Sequence, residues 1–271
     1  MVDFSGSEPE RSYRISAVEK AFAVVNAFCS EPYRLTLAEV SARTGLSSNQ
    51  AFRVLQTLVA TGYVRQVQDA KQYALGPAAF RLVAPLLNAD ELFQASREIV
   101  DSLFDATGEI SSVSAFNRGE ETVCIYVRLN EQPFAIPTAI GVSSNDLHAG
   151  AVARTLLASR SDAEIDALLD TREPLKVFNQ HTLTDRAAIR DAIRETRANG
   201  YTVSNEEIVE GMYGIAAPVF DRRGALVAAV SLVAPLVRAG AAERERHLAL
   251  LLDAAKRIST TLGYRAVVAL G

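Results

Sequence analysis

Between Thr36 and Val64 the chain reads "TLAEVSARTGLSSNQAFRVLQTLVATGYV", and its apolar positions fall into two short helical stripes. Leu37 and Val40 lie three apart. Ala51, Val54, Leu55, Leu58 and Val59 follow the i, i+3, i+4, i+7, i+8 spacing of a helix that buries one face. Gly45 can adopt the left-handed conformation that ends a helix, and Ser47-x-x-Gln50 has the spacing of a capping box that starts the next. Two helices around a glycine predict a helix-turn-helix. Upstream, "ISAVEKAFAVVNAFC" predicts a further helix, with a capping-box pair at Ser16 and Glu19 and a stripe of Ile15, Val18, Phe22 and Val25. Downstream, "YVRQVQDAKQYALG" predicts a hairpin whose polar turn spans Gln68 to Lys71, before a second run from Gln72 to Leu75. Helix, helix-turn-helix and hairpin in that order make a winged helix, a fold that docks one helix in the major groove while the wing touches the backbone.

The polar side of the predicted second helix bears on this. Asn49, Arg53 and Gln56, with Gln50 and Thr57 alongside, oppose its apolar stripe. Asn and Gln match the edge of adenine, and Arg that of guanine. A solvated helix face has the same pattern, and the capping box competes for Gln50. The residues expected at DNA are Ser47, Ser48, Asn49, Gln50, Arg53 and Gln56, with Arg65 and Lys71 from the wing.

Past the wing, "PAAFRLVAPLLNADELFQASREIVDSLFDATGE" is helical in pattern, with interruptions expected at Pro85 and at Asn88 to Asp90. Strand-like "ISSVSAF" and "TVCIYVRL" follow, then an extended "FAIPTAIG" and helices through Thr155 and Ile189. After them come "YTVS", "YGIAAPVF", a turn at "DRRG", "ALVAAVSLV" and a last helix ending near Gly263. Strands at hairpin spacing among helices predict an α+β domain with a mostly antiparallel sheet. Ser231 and Val233 alternate on one strand, so they share a face and Val230 takes the other.

Charge separates the two parts. Residues 11–76 hold 8 Lys and Arg against 4 Asp and Glu, whereas residues 77–271 hold 20 against 25. A net +4 attracts phosphates, but one copy offers few cationic contacts, so two copies on DNA are expected. With 271 residues and 49% hydrophobic positions there is material for one small and one medium domain. Apolar runs fall short of the ~18 residues of a membrane span, and Met1 to Ser12 is acidic and polar where a signal peptide is basic and then apolar. A cytoplasmic location is expected. Cys29 and Cys124 have no metal-binding spacing and are expected as reduced, buried packing residues. His148, His181 and His247 share no ligand spacing, so neither metal nor cofactor is expected. No nucleophile elbow, phosphate loop or recognisable triad argues for catalysis. His148 is expected to pack at a strand-helix junction and Met212 in the core. Ser231 has a backbone hydrogen bond as its plain alternative. Glu206, Glu207 and Glu210 read as a solvated loop, a helix cap or a pocket wall.

The motifs "LAEVSARTGL", "RVLQTL", "GYV" and "YALG", followed by "LHA" at Leu147 to Ala149, "NGYTVSNEE", "EGMYGIAAPVFDRRG" and "VAAVSLVAP", together resemble the IclR family of bacterial transcriptional regulators. The likeness runs from Ile15 to about Gly263. It implies a GAF-like α/β effector-binding domain behind the winged helix, and the following division: residues 1–12 a disordered tail, 13–76 the winged helix-turn-helix, 77–91 a linker helix, 92–268 the effector-binding and oligomerisation domain. Carried over position by position, it implies a pocket of Asn145, Leu147, Ala151, Val152, Ser204, Met212, Gly214, Ser231 and Val233. Backbone N–H groups near Ala149 to Val152 would receive an anionic oxygen. The implied partners are a double-stranded operator, a small-molecule effector, expected to be an organic or aromatic acid, and further copies of the chain as a homodimer or dimer of dimers. Several positions depart from the pattern. Asn49-Gln50 replaces Ser-Thr, Phe52 replaces His or Tyr, one residue is added between Gly141 and His148, Asp146 replaces proline, "VARTLLA" replaces "xGKAxLA", and Val233 replaces a second serine. The first two changes imply a different base preference, and the others favour a larger, partly apolar effector over a small, highly charged one. A constitutive DNA-binding protein whose second domain only oligomerises is the alternative, and an enzyme fused to a winged helix a more distant third.

Overall fold

Thr36 begins the helix-turn-helix by closing a capping box: its hydroxyl accepts from the Glu39 N–H, and Glu39 bonds back to the Thr36 N–H at 2.7 Å. Such a cap is worth about 1 kcal/mol. The helix α2 that it starts (Leu37–Thr44) ends at Gly45, whose φ of 68° is the left-handed conformation that glycine adopts at no steric cost. Ser47 and Gln50 then form the second capping box, and α3 (Ser48–Ala60) follows. The computed structural model describes residues 13–67, 71–118, 121–130 and 138–265. The expected tail 1–12, the wing-turn residues 68–70, the 134–137 part of the extended run and residues 266–268 at the end of the second domain lie outside these.

The first helix, α1 (Ser16–Ala27), corrects the sequence expectation twice. Its N-cap is Ile15 and no side chain caps it; Glu19 pairs with Arg14 instead of returning to Ser16. The buried face is also rotated. Val24 and the following Phe28 enter the core, whereas Ile15, Val18 and Phe22 are exposed. α1 has apolar residues on more than one side, and the pocket over α2 and α3 selects the Val24 side. Cys29, expected to be buried, is exposed one residue past Phe28. Leu55, Val40, Leu35 and Val64 complete this core, and each fully buried aliphatic side chain contributes about 1.5–3 kcal/mol. Arg43 fastens the end of α1 by donating to the carbonyls of Ala27, Ser30 and Glu31. The wing pairs β2 (Val64–Val67) with β3 (Gln72–Leu75), and a two-residue β1 (Leu35–Thr36), unforeseen in the sequence, adds a third strand in the order β1-β3-β2.

A 3-10 turn at Pro77–Ala79 leads into α4 (Phe80–Ala89), which carries Pro85 inside it instead of breaking there. The chain divides into two compact units between Asn88 and Ala89, each described by itself. Asp90 caps α5 (Glu91–Thr107). The second unit is built on β4 (Ile110–Asn117), β5 (Glu121–Arg128), β6 (Ser143–Ser144), β7 (Thr202–Asn205), β8 (Met212–Phe220) and β9 (Leu226–Pro235). These form one antiparallel sheet in the order β6-β5-β4-β9-β8-β7. The short β6 was not anticipated; Ile140 and Gly141, at the end of the expected extended run, form a turn ahead of it. α5 and α9 (Ala241–Thr261) cover one face of the sheet, burying Val113, Val230, Leu232 and Ala234. α6 (Ala151–Leu157) lies on the other face, backed by α7 (Asp162–Asp170) and α8 (Arg186–Asn199).

Candidate functional site

α3 presents its polar side to solvent. Ser48, Asn49, Arg53 and Gln56 are exposed, while Ala51, Leu55 and Leu58 are buried behind them. The capping box holds Ser47 and Gln50: the Gln50 side-chain oxygen accepts from the Ser47 N–H at 3.3 Å, leaving its amide nitrogen as the freer end. Arg65 is exposed on β2, and Lys71 is exposed in the turn just ahead of β3 with a left-handed φ of 48°. The expected DNA-facing residues of α3 therefore share one solvent face. Phe52 stands beside them, 45% exposed, an apolar ring at the edge of a polar surface.

In the second unit the period of two along β4, β8 and β9 produces a solid face and a hollow one. Val230 and Leu232 point into the core under α5 and α9; Ser231 and Val233 point to the opposite side, into a cavity of about 220 Å³. Ala151, Val152, Ser204, Met212 and Gly214 line the same cavity. Asn145 and Leu147 do not. A tight turn, with the Leu147 N–H on the Asn145 carbonyl at 2.9 Å, puts Asp146 on the cavity wall, sends Leu147 into the core with α6, α7 and α8, and leaves Asn145 exposed. Met212 is both buried and part of the wall. Ser231 does not rely on backbone for its hydroxyl: it bonds the Ser112 hydroxyl at 2.8 Å, directly across the β4–β9 pair.

Several positions at or beside the cavity escaped the sequence reading. Ser112 and Ser114 on β4, and Cys124 on β5, face the cavity because the strand alternation places them there. Burial pushes the Cys124 thiol pKa above its ordinary value, so this group stays a protonated, weakly polar lining atom. Arg154, 1% exposed on α6, was missed altogether. Its guanidinium grips Glu207 with both terminal nitrogens, Nη2 at 2.7 Å from Oε1 and Nη1 on Oε2, and Nη2 also donates to the Val203 carbonyl at 2.9 Å. A charged residue inside the otherwise apolar "AVARTLLA" was the available signal. Of the three readings open for the acidic trio, Glu207 takes the pocket wall, buried, and Glu206 also lines the cavity. Glu207 Oε2 accepts the Gly150 N–H at 3.1 Å, and the Ala149 N–H bonds the Asp146 carbonyl at 3.3 Å, so two of the backbone donors expected to meet an anion are occupied. Gly150 has a φ of 84°, a conformation that strains any residue with a side chain, and a Cβ there would also displace the Ile208 tip, 2.7 Å away.

His148 is buried, hydrogen-bonded to the Lys176 carbonyl at 2.9 Å and stacked on Phe178, at the junction expected of it. Among the described residues no three His, Cys, Asp or Glu side chains form a metal cluster, and no helix is long and apolar enough to cross a membrane.

Two family models match these two units: the IclR helix-turn-helix domain over residues 17–68, and the C-terminal domain of bacterial transcriptional regulators of IclR type over residues 85–260. The chain belongs to the IclR family of bacterial transcriptional regulators. As an IclR-family protein it is a DNA-binding regulator, with a helix-turn-helix unit ahead of a GAF-like α/β unit whose sheet is antiparallel. The HTH-type transcriptional regulator KdgR of Escherichia coli is 29% identical over 251 residues, covering 92% of this chain and 94% of that protein. An IclR-family transcriptional regulator from Alicyclobacillus acidocaldarius has the same fold, with a TM-score of 0.83 at 23% identity, over 93% of this chain and 100% of the other. An IclR homologue from Microbacterium hydrocarbonoxydans, solved as a complex with 4-hydroxybenzoate, matches with a TM-score of 0.79 at 22% identity, over 92% and 99% of the two chains.

Proposed function

We propose that this IclR-family regulator acts in the cytoplasm as a homodimer or dimer of dimers, reads its operator with α3, and changes its DNA affinity when a small molecule enters the cavity of the second unit. The observation that carries the sensor reading is the cavity itself. It is lined by apolar atoms with a few convergent hydroxyls, the composition of small-molecule sites in general. The complex of the Microbacterium homologue with 4-hydroxybenzoate supports a small-molecule partner for the fold. Self-association is supported within the first unit by apolar residues that its own core leaves exposed: Ile15, Val18 and Phe22 on α1, and Phe80, Leu82 and Leu86 on α4. DNA contact is proposed for Ser47, Ser48, Asn49, Gln50, Arg53, Gln56, Arg65 and Lys71. Effector contact is proposed for Ala151, Val152, Ser204, Met212, Gly214, Ser231 and Val233.

A sensor must bind its ligand better in one arrangement than in another, and the same coupling free energy must appear in DNA affinity. Ser231→Leu places an apolar side chain inside the cavity and removes the hydroxyl bonded to Ser112. Operator binding by this variant is expected to stay within several-fold of the parent, while the response to effector is lost. The measurement is operator affinity with and without a compound that raises the melting temperature of the parent protein. An unaltered response in Ser231→Leu removes the cavity from the site. A protein whose melting temperature and DNA affinity no small molecule shifts is a constitutive regulator whose second unit only assembles it.

A further inference from the structure

The charges around the cavity are distributed in a way that restricts what enters it. Its wall holds three carboxylates, Asp146, Glu206 and Glu207, and among the described residues no Lys, Arg or His. The nearby buried cation is Arg154, and both of its terminal nitrogens are taken by Glu207 and the Val203 carbonyl. The Gly150 N–H is taken by Glu207 as well. The chain's own carboxylate thus sits where the carboxylate of a ligand would be received.

An incoming anion would lose its hydration next to acidic groups and meet, among the described residues, only cations already paired with the chain's own carboxylates, Arg154 with Glu207 and Lys176 with Asp146, which disfavours the charged form. An amine is not called for either, because the acids are already engaged. Glu207 is paired with Arg154, Asp146 lies 3.7 Å from Lys176, and Glu206 accepts the Gly211 N–H at 2.8 Å. Besides the backbone N–H groups of Ala151 and Val152 at the start of the short α6, what the cavity offers is hydroxyls. Ser112 and Ser231 are hydrogen-bonded to each other, and Ser204, buried on β7, lines the same cavity. Each can donate to a carbonyl or accept from an alcohol.

We infer that the effector is uncharged, a hydroxyl- or carbonyl-bearing compound with an apolar body, taken in preference to the carboxylate or amine of the same skeleton. This rests on the sensor reading above and specifies the chemistry of that same cavity. Glu207 is the specificity-determining residue, because it consumes the buried cation that would hold an acid.

The test is calorimetric titration of the full-length protein with sets matched in skeleton: 4-hydroxybenzyl alcohol, 4-hydroxybenzoate and 4-hydroxybenzylamine; 2-phenylethanol, phenylacetate and 2-phenylethylamine; 1-hexanol, hexanoate and hexylamine. In each set that binds, the neutral member is expected to bind at least about tenfold more tightly than either charged one. An acid or amine that equals or exceeds its neutral counterpart overturns the inference and leaves the sensor standing. Absence of binding across all sets counts against the sensor reading and takes this inference with it. Glu207→Gln frees Arg154 to meet an anion, so the acid-to-neutral affinity ratio is expected to rise at least about tenfold. A folded Glu207→Gln protein with an unchanged ratio overturns the assignment of Glu207. Should that variant fail to fold, the ranking in the unmodified protein decides alone.

Discussion

His247 shows how a single buried group is governed by its surroundings. It is 1% exposed, its ring stacks on Tyr213, and Nδ1 is hydrogen-bonded to the Tyr213 hydroxyl at 2.8 Å. Burial lowers its pKa from the ordinary 6.5, more than the Glu243 carboxylate 3.6 Å from Nε2 restores, and burial likewise pushes Tyr213 up to about 12. A histidine whose folded pKa is depressed takes up protons more readily when unfolded, so it contributes stability in full above 6.5 and loses it as the pH falls towards the depressed value. Melting temperature is therefore expected to fall between pH 7 and pH 5, and His247→Asn to flatten that part of the curve. An identical slope in the variant would assign the acid sensitivity to other groups. None of this was legible in the sequence, where His247 was one polar residue in the pattern of the last helix; its partner lies 34 residues away on β8.

At the scale of elements, what the sequence disclosed and what it withheld divide by range. The α2–Gly45–α3 turn was readable because its determinants are local: the Ser47–Gln50 capping box, a left-handed glycine and a helical stripe; the Thr36–Glu39 box, equally local, was overlooked. The same is true of the side on which Ser231 and Val233 project, since strand alternation is geometric. α1 failed for the complementary reason. Its apolar residues occupy two sides, and only the packing of α2 and α3 against Val24 and Phe28 decides which is inside. β1 and β6, two residues each, are too short to carry a periodic signal. In the candidate cavity, the family pattern indicated β8, β9 and the start of α6, but not Ser112 and Ser114, which carry no motif and meet the others only through the fold, nor the pairing of Arg154, whose partner Glu207 is 53 residues away. For α3 the expected consequence is direct. Arg53 is exposed one turn after Asn49, and no ion pair or hydrogen bond of its side chain is found among the described residues. Arg53→Ala is expected to cost about 1–3 kcal/mol of operator binding without unfolding the unit. Unchanged affinity in a fluorescence titration would take Arg53 out of the interface.

The molecule as a whole has a basic reading unit with few cations, and it shows apolar surface on that unit that its own core does not use. If a second copy covers α1, a carboxylate placed there must be desolvated on assembly, a cost that the monomer does not bear. Phe22→Asp is expected to leave the helical circular dichroism unchanged, to shift sedimentation towards a smaller species, and to weaken operator binding by well over tenfold, because a single winged helix neutralises few phosphates. Sedimentation and DNA affinity equal to those of the parent would place the interface elsewhere.

The buried Arg154–Glu207 pair also constrains how this protein can change through descent. Losing either partner alone strands a charge in the interior, at a cost of about 3–5 kcal/mol, whereas exchanging both for apolar residues of similar volume is close to neutral. The two positions are 53 residues apart in the chain, yet a lineage can pass between the charged and the apolar solution only by two substitutions in quick succession. Related sequences should accordingly hold both charges or neither, and a lineage that discards the pair should alter its ligand chemistry at the same step.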